Sequence, residues 1–362
     1  MKRKVTVLGA GNGAQTLAGD LASRGHEVTL YEHPDFADKI RDINLKGNKI
    51  LLTNTLEKEG QLAQATTDIA VAMKGAEIIF FVAPTFAQTP IFKLAVPYFE
   101  AGQTLVIIPG NFGSFALRKI LRESNGPDIY IAETDTLPYA CRLIENGKIN
   151  VWGIKQYVRI GTLPGKDYPV VEKILRDVFP VEIRELPNSM AAGLANTNMV
   201  VHCATMIMNA GRIESEKGNF RFYTDGMSPS VCKVQEAIDR ERMAVAESLG
   251  IPLISALDGL KTMYNLQGET LHEALAENPA YGAHGPDAPK TMTHRYLSED
   301  IPYLLVPVSM LGRITNVPTP VTDSIILLSE TVNDAKYSDV GWNAEQLGIQ
   351  GMSRNELIEF IR

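Results

Sequence analysis

A chain of 362 residues, 45% of them hydrophobic and 21% charged, is long enough for two hydrophobic cores and has the composition of an ordinary globular protein. Its formal net charge of −7 argues against a nucleic-acid or anionic-membrane partner, although a few local arginines can still hold a small anion. No run approaches the ~18 apolar residues of a membrane span, and Cys141, Cys203 and Cys232 form neither a zinc pattern nor a disulfide framework, so no metal and a reducing cytoplasm are expected.

Met1-Lys2-Arg3-Lys4 is followed only by Val5-Thr6-Val7-Leu8 before glycines, too short for a signal-peptide core. Strand patterns at 5–8, 27–31, 78–82, 105–108 and 129–132 alternate with helical patterns at 14–23, 35–45, 67–73, 88–99 and 115–122. Further strands are expected at 150–154, 157–161 and 181–185, with a helix at 168–179 between the last two. Short β-branched runs alternating with helices predict a doubly wound parallel sheet of Rossmann type, covered on both faces. After Leu186-Pro187-Asn188 the strand pattern stops, and helices are expected at 189–217, 230–249 and 320–333, with irregular stretches at 219–228 and 278–289. Pro187-Asn188-Ser189 carries a helix cap, which sets the expected boundary. The reading is α/β then all-α: residues 1–187 bind a dinucleotide, and 188–362 form a helical substrate and catalytic domain.

The turn Gly9-Ala10-Gly11-Asn12-Gly13-Ala14 lies between the first strand and an alanine-rich helix. There Gly9 permits the tight turn, Gly11 lets the backbone approach a pyrophosphate, and small Ala14 lets helix and strand pack closely. The helix N-terminus adds free N–H groups and partial positive charge. Glu32 ends the second strand, placed to accept hydrogen bonds from the adenosine ribose and to repel a 2′-phosphate. No arginine follows, and His33 is the nearby cation, so NAD is favoured over NADP. Ala83 and Pro84 after the 78–82 strand, and Gly110 after the 105–108 strand, stand at the carboxyl edge where such sheets bind ligands.

Hydride transfer to C=O or C=N also consumes a proton, which histidine supplies near neutral pH. His26 and His33 flank the second strand, His272 lies on an exposed helix pattern and His284 in a loop, leaving His202 and His294. On the 189–217 pattern Asn198, His202, Thr205, Asn209 and Arg212 fall on one face, while Met199, Val200, Ala204, Met206 and Ile207 cover the others. A polar stripe on a buried helix needs partners, because unpaired groups cost ~1–3 kcal/mol each. A polar substrate in a cleft would supply them, as would a hydrogen-bond network between helices. The segment His294-Arg295-Tyr296-Leu297-Ser298-Glu299-Asp300 adds carboxylates that could orient an imidazole and an arginine that could grip a substrate carboxylate.

With these residues in view, the chain resembles the octopine and opine dehydrogenase family over nearly its whole length. The likeness runs from residues 9–14 through 110–142, including Glu133-Thr134, to 198–202, Asn209-Ala210-Gly211-Arg212, Pro229-Ser230-Val231, Asn278-Pro279-Ala280-Tyr281, 295–300 and Val317-Pro318-Thr319-Pro320. The asparagine–histidine helix paired with Arg-Tyr-x-x-Glu-Asp is its most specific part. The resemblance implies a helical second domain like that of 6-phosphogluconate dehydrogenase. It also implies a reaction in which an L-amino acid condenses with a 2-oxo acid, often pyruvate, and the imine is reduced by NAD(P)H. It would make His202 the general acid/base, Asp300 its orienting partner, and Arg295 the carboxylate anchor with Asn198 nearby; Thr205 and Asn209 join them as substrate-binding candidates from the stripe.

The rival in the same class is a reductase of the ketopantoate reductase or glycerol-3-phosphate dehydrogenase type. Against it, Lys233, Lys261 and Lys290 are dispersed rather than clustered for a phosphate, and Glu32 disfavours NADP. A dinucleotide sensor without chemistry would not need the proton-transfer and carboxylate-binding residues. Apolar Met206-Ile207-Met208 and Met263-Tyr264 favour a neutral or hydrophobic amine over arginine. A homodimer is left open, since no coiled-coil heptad specifies one.

Overall fold

The computed structural model describes residues 2–278 and 287–362. Two compact units emerge: the first runs to Gly193 and takes in Phe360–Arg362, and the second is Leu194–Glu359.

In the first unit the strands are β1 (Lys4–Leu8), β2 (Glu27–Tyr31), β3 (Lys49–Asn54), β4 (Lys58–Gln61), β5 (Gln64–Thr66), β6 (Ile78–Phe81), β7 (Thr104–Ile107), β8 (Tyr130–Thr134), β9 (Tyr139–Glu145), β10 (Lys148–Ile154), β11 (Tyr157–Thr162) and β12 (Glu182–Glu185). The main sheet has the order β12-β11-β8-β7-β6-β1-β2-β5, parallel throughout except where β11 runs antiparallel to β8. Its central strands are apolar on both faces, as a doubly covered sheet requires, while the edge strands β5 and β12 are largely polar. Val5, Val7, Val28, Leu30 and Phe80 pack in one layer, and Leu8, Tyr31, Ile79, Phe81 and Ile107 in the other. The carboxyl ends of β1, β2 and β6 therefore meet at one edge, where the glycine turn lies.

A second sheet, β4-β3-β10-β9, was not legible as such. Residues 150–154, expected as a further strand of the main sheet, lie instead in β10 of this small sheet. Its strands alternate: Ile50, Leu52, Ile149 and Val151 point inward, while Lys49, Leu51 and Trp152 point out. That period-2 pattern belongs to a sheet with one wet face, not to a doubly covered one. It packs on the helix Asn12–Ser23 at glycine contacts; a Cβ on Gly60 would collide with the Gly19 carbonyl oxygen.

The second unit is helical. The helix expected over 189–217 is three helices: Ser189–Ala195, most of which lies in the first unit, then Asn198–Met208 and Ala210–Glu216. Asparagines punctuate it, because their side chains offer the backbone a local alternative to the helix ladder. Asn188 Oδ1 accepts the Ala191 N–H at 3.0 Å, and Asn196 Oδ1 accepts the Asn198 N–H at 3.0 Å. The apolar run after Asp300 forms a π-helical turn, Ile301–Leu305, continuing into the helix Val306–Thr315. Fully buried Arg242, on the helix Pro229–Ser248, ties three segments together: it bonds Asp239 Oδ1 at 2.8 and 2.6 Å, the Leu194 carbonyl at 2.6 Å and the Ile254 carbonyl at 3.0 Å. A buried charge is tolerable only when satisfied in this way. Of the irregular stretch expected at 278–289, residues 279–286, with His284, lie outside the described residues. Among the described residues no helix is long and apolar enough to cross a membrane.

Candidate active site

Gly9 leaves β1 with φ +108°, and a Cβ there would overlap the Val82 carbonyl oxygen, so only glycine fits. Gly11 is the N-cap of the helix Asn12–Ser23; no side chain caps that first turn, and nothing lies within 4 Å of where a Gly11 Cβ would be. Uncapped N–H groups beside open space suit a pyrophosphate. Ala14 is fully buried. Gly13 has a packing role, since its Cβ would meet Leu137 at 2.8 Å. Asn12 Oδ1 accepts the Leu143 N–H at 2.8 Å, which ties the turn to β9.

Glu32, 6% exposed, accepts the Ala10 N–H at 3.0 Å and the Lys39 ammonium at 2.7 Å on Oε2, and the His33 N–H at 2.9 Å on Oε1. The expectation of His33 as the nearby cation is corrected: His33 Nδ1 accepts the Asp35 N–H at 3.3 Å, and Lys39 is the cation at the carboxylate. Lys39 gave no signal in the sequence because it lies one element away, on the helix Ala37–Leu45, two turns beyond Glu32. Ala83 and exposed Pro84 follow β6 closely. Gly110 faces inward instead: its Cβ would overlap Glu133, whose carboxylate accepts the Phe112 N–H at 3.1 Å and the Ser114 N–H at 2.5 Å. Burial pushes the Glu133 carboxyl up to about 7, against the pull of those N–H groups. The open turn, the free helix end and the carboxylate at the end of β2 together fit a dinucleotide.

In the second unit, residues 98 apart in sequence meet. His202 Nδ1 lies 2.7 Å from Asp300 Oδ2, with each side chain 7% exposed. A carboxylate only accepts, so Nδ1 carries the proton and Nε2 keeps the lone pair in the neutral ring. Tyr296 stacks on the imidazole at 3.8 Å between centroids and 17° between planes. Nε2 is 2.9 Å from Tyr223 Oη. Asp300 gets there because the short helix Arg295–Ser298 turns the chain so that Leu297, Glu299 and Asp300 are buried while Arg295 stays out. His294, the other histidine considered for proton transfer, acts structurally here, as its Nδ1 accepts the Tyr296 N–H at 3.3 Å and caps that helix. Burial first, and then the charges of Arg295 and His202, push its pKa down, which keeps it an acceptor.

The remaining candidate residues part company. Asn198 is exposed at the head of its helix. Arg295 is 66% exposed and pairs with Glu299 at 2.8 Å. Thr205 is fully buried, donating to the Val201 carbonyl at 2.6 Å and accepting from Gln235 Nε2 at 2.8 Å. Asn209 Nδ2 donates to the Thr205 and Gly226 carbonyls at 2.9 and 2.8 Å. The structure therefore does not bring Thr205 and Asn209 to the His202 ring; they form the network between helices that a buried polar stripe also allows. Met206 is fully buried and Met208 is 44% exposed, so that run is not one apolar wall. Tyr223 and Tyr296, which the structure sets against the His202 ring, were not among the expected candidates. Tyr296 was at least flagged by its neighbours, but Tyr223, in the irregular stretch 219–228, carried no periodic signal.

A family profile for the NAD/NADP octopine/nopaline dehydrogenase α-helical domain matches residues 185–333, and one for the NAD-dependent glycerol-3-phosphate dehydrogenase N-terminus matches residues 4–119. An opine dehydrogenase of Arthrobacter sp. (strain 1C) is 32% identical over 348 residues, covering 96% of this chain and 95% of the relative. A vitopine synthase of Allorhizobium ampelinum (strain ATCC BAA-846 / DSM 112012 / S4) is 28% identical, covering 89% of each. Among solved structures, an octopine dehydrogenase with NADH and L-arginine superposes with a TM-score of 0.82 at 22% identity, over 99% of this chain and 98% of that one.

Proposed function

The chain belongs to the opine dehydrogenase family, an NAD-dependent oxidoreductase group acting on carbon–nitrogen bonds, and from that premise we propose that it joins an L-amino acid to a 2-oxo acid, pyruvate first among them, and reduces the imine with NADH. The observation that carries the residue assignment is the buried His202–Asp300 pair, 2.7 Å apart in the helical unit. When bound, the dinucleotide supplies the hydride; its pyrophosphate would lie at Gly11 and the first turn of the helix Asn12–Ser23, and its adenosine ribose at Glu32.

The chain's own residues divide the remaining work. Asp300 holds the imidazole in one tautomer and stabilises the imidazolium. His202 is the source and sink of the proton that carbonyl addition and water loss require. Arg295 offers a guanidinium fork to the oxo-acid carboxylate, in place of Glu299. Following NADH absorbance with pyruvate, with and without a panel of amino acids, tests the reading. Oxidation that requires both partners supports it; equal rates without any amine would make the enzyme a ketone reductase.

Arg295→Ala should raise the KM for the oxo acid by about 10- to 100-fold with little change in kcat, the worth of a charge-assisted pair. An unchanged KM in initial-rate kinetics removes that role. At the other end, Glu32 is proposed to exclude a 2′-phosphate even though Lys39 offsets part of its charge. Glu32→Ser leaves Lys39 uncovered, and NADPH should then gain about tenfold over NADH in a fluorescence titration. A preference unmoved by the substitution would show that selection lies elsewhere.

A further inference from the structure

Four neighbours enclose the His202 ring. Asp300 holds Nδ1, Tyr296 covers a face, Phe222 lies 6.1 Å away between centroids, and the Tyr223 hydroxyl sits 2.9 Å from Nε2. Nε2 is the nitrogen that exchanges the proton, so any substrate atom must either displace the Tyr223 hydroxyl or take its proton through it.

The anchoring of the 219–228 segment decides between these. Asn209 Nδ2 holds the Gly226 carbonyl at 2.8 Å, and Asp225 accepts the Arg221 N–H at 2.9 Å. Arg221 pairs with Asp287 at 2.8 Å, and the Ala288 N–H bonds the Phe220 carbonyl at 2.8 Å. Phe222, next to Tyr223 in sequence, is fully buried and packs on Tyr296 at 5.0 Å. Gly226 fits closely against Thr205, whose Cγ2 would lie 3.2 Å from a Cβ there. Thr205 and Asn209 thus build the platform for the segment that carries Tyr223. These contacts hold the backbone that carries Tyr223, and its ring packs edge-on against Phe222 at 5.2 Å between centroids, which sets the hydroxyl at Nε2.

We propose that Tyr223 is a catalytic proton relay, its hydroxyl passing the His202 proton to the substrate oxygen. The inference rests on the opine dehydrogenase reading above. In the condensing direction the carbinolamine C–O bond breaks and its oxygen takes the Tyr223 proton and leaves as water. The nitrogen lone pair forms the C=N bond, and the tyrosine oxygen regains a proton from Nε2–H of the His202 imidazolium. One positive charge moves from imidazolium to iminium, and the tyrosine ends as it began.

Tyr223→Phe keeps the ring against Phe222 and removes only the hydroxyl. The expected result is a kcat lower by about 10²-fold, with the NADH dissociation constant and melting temperature at wild-type values. In mixtures of light and heavy water, the rate should change from a bowed dependence on deuterium fraction, for two protons in flight, to a linear one. A variant with kcat within about threefold of wild type and the same isotope dependence overturns the relay and makes the hydroxyl a displaced placeholder. As a second variant, Tyr223→3-fluorotyrosine preserves size and hydrogen bonding but acidifies the phenol; an unchanged kcat and pH profile overturn the relay equally. A wild-type enzyme that turns over no oxo acid and amine pair overturns the functional reading and the relay with it, so the two failures are distinguishable.

Discussion

Replacing His202 by alanine is expected to lower kcat by about 10³- to 10⁴-fold while the NADH dissociation constant stays unchanged, as read from steady-state kinetics and nucleotide fluorescence. The imidazole is the proton reservoir of the proposed reaction, and its loss leaves carbinolamine dehydration without an acid. The side chain is 7% exposed and belongs to the second unit, whereas Gly9, Gly11 and Glu32 belong to the first. Binding and chemistry should separate in this variant for that reason. Replacement also opens a hole beside Tyr296 and Phe222, so His202→Asn, which refills part of the volume, should be as inactive as the alanine variant with a higher melting temperature. Near-normal turnover in either variant would end the assignment.

Asp300→Asn should cost about 10²- to 10⁴-fold in kcat with little loss of stability. The substitution is isosteric, yet an amide can present its N–H₂ to Nδ1, which then accepts, and the proton moves to Nε2. The ring keeps its place but in the wrong tautomer, and the imidazolium loses its counter-charge at 2.7 Å. Because Asp300 is 5% exposed, water cannot replace the lost interaction. A variant with kcat within about tenfold of wild type would mean that Asp300 serves only to fill the core.

The sequence patterns reached the main sheet well, because a parallel sheet covered on both faces leaves unmistakable apolar runs; the run expected at 27–31 is β2 to the residue. The small sheet was lost for the opposite reason. β4, Lys58-Glu59-Gly60-Gln61, is almost wholly polar, and it is a strand because it pairs with β3 over the helix Asn12–Ser23. The long helix expected at 189–217 was over-extended because periodicity runs through Asn196 and Asn209, whereas their side chains end the backbone ladders locally.

By itself, the chain's order of residues determined the cofactor end: strand, Gly9, Gly11, helix and Glu32 are local, and φ preference, helix dipole and strand length act over a few residues. Sequence also marked His202, Arg295 and Asp300 by type and by their resemblance to a family. Only the tertiary structure decided which of these act together. It brought Asp300 to Nδ1, turned Thr205 and Asn209 into supports, set Lys39 beside Glu32, and placed Tyr223 at Nε2. Apart from Lys39, only seven residues beyond Glu32, those contacts join elements separated in the chain, where no spacing rule reaches and only the shape of the folded core chooses the neighbour.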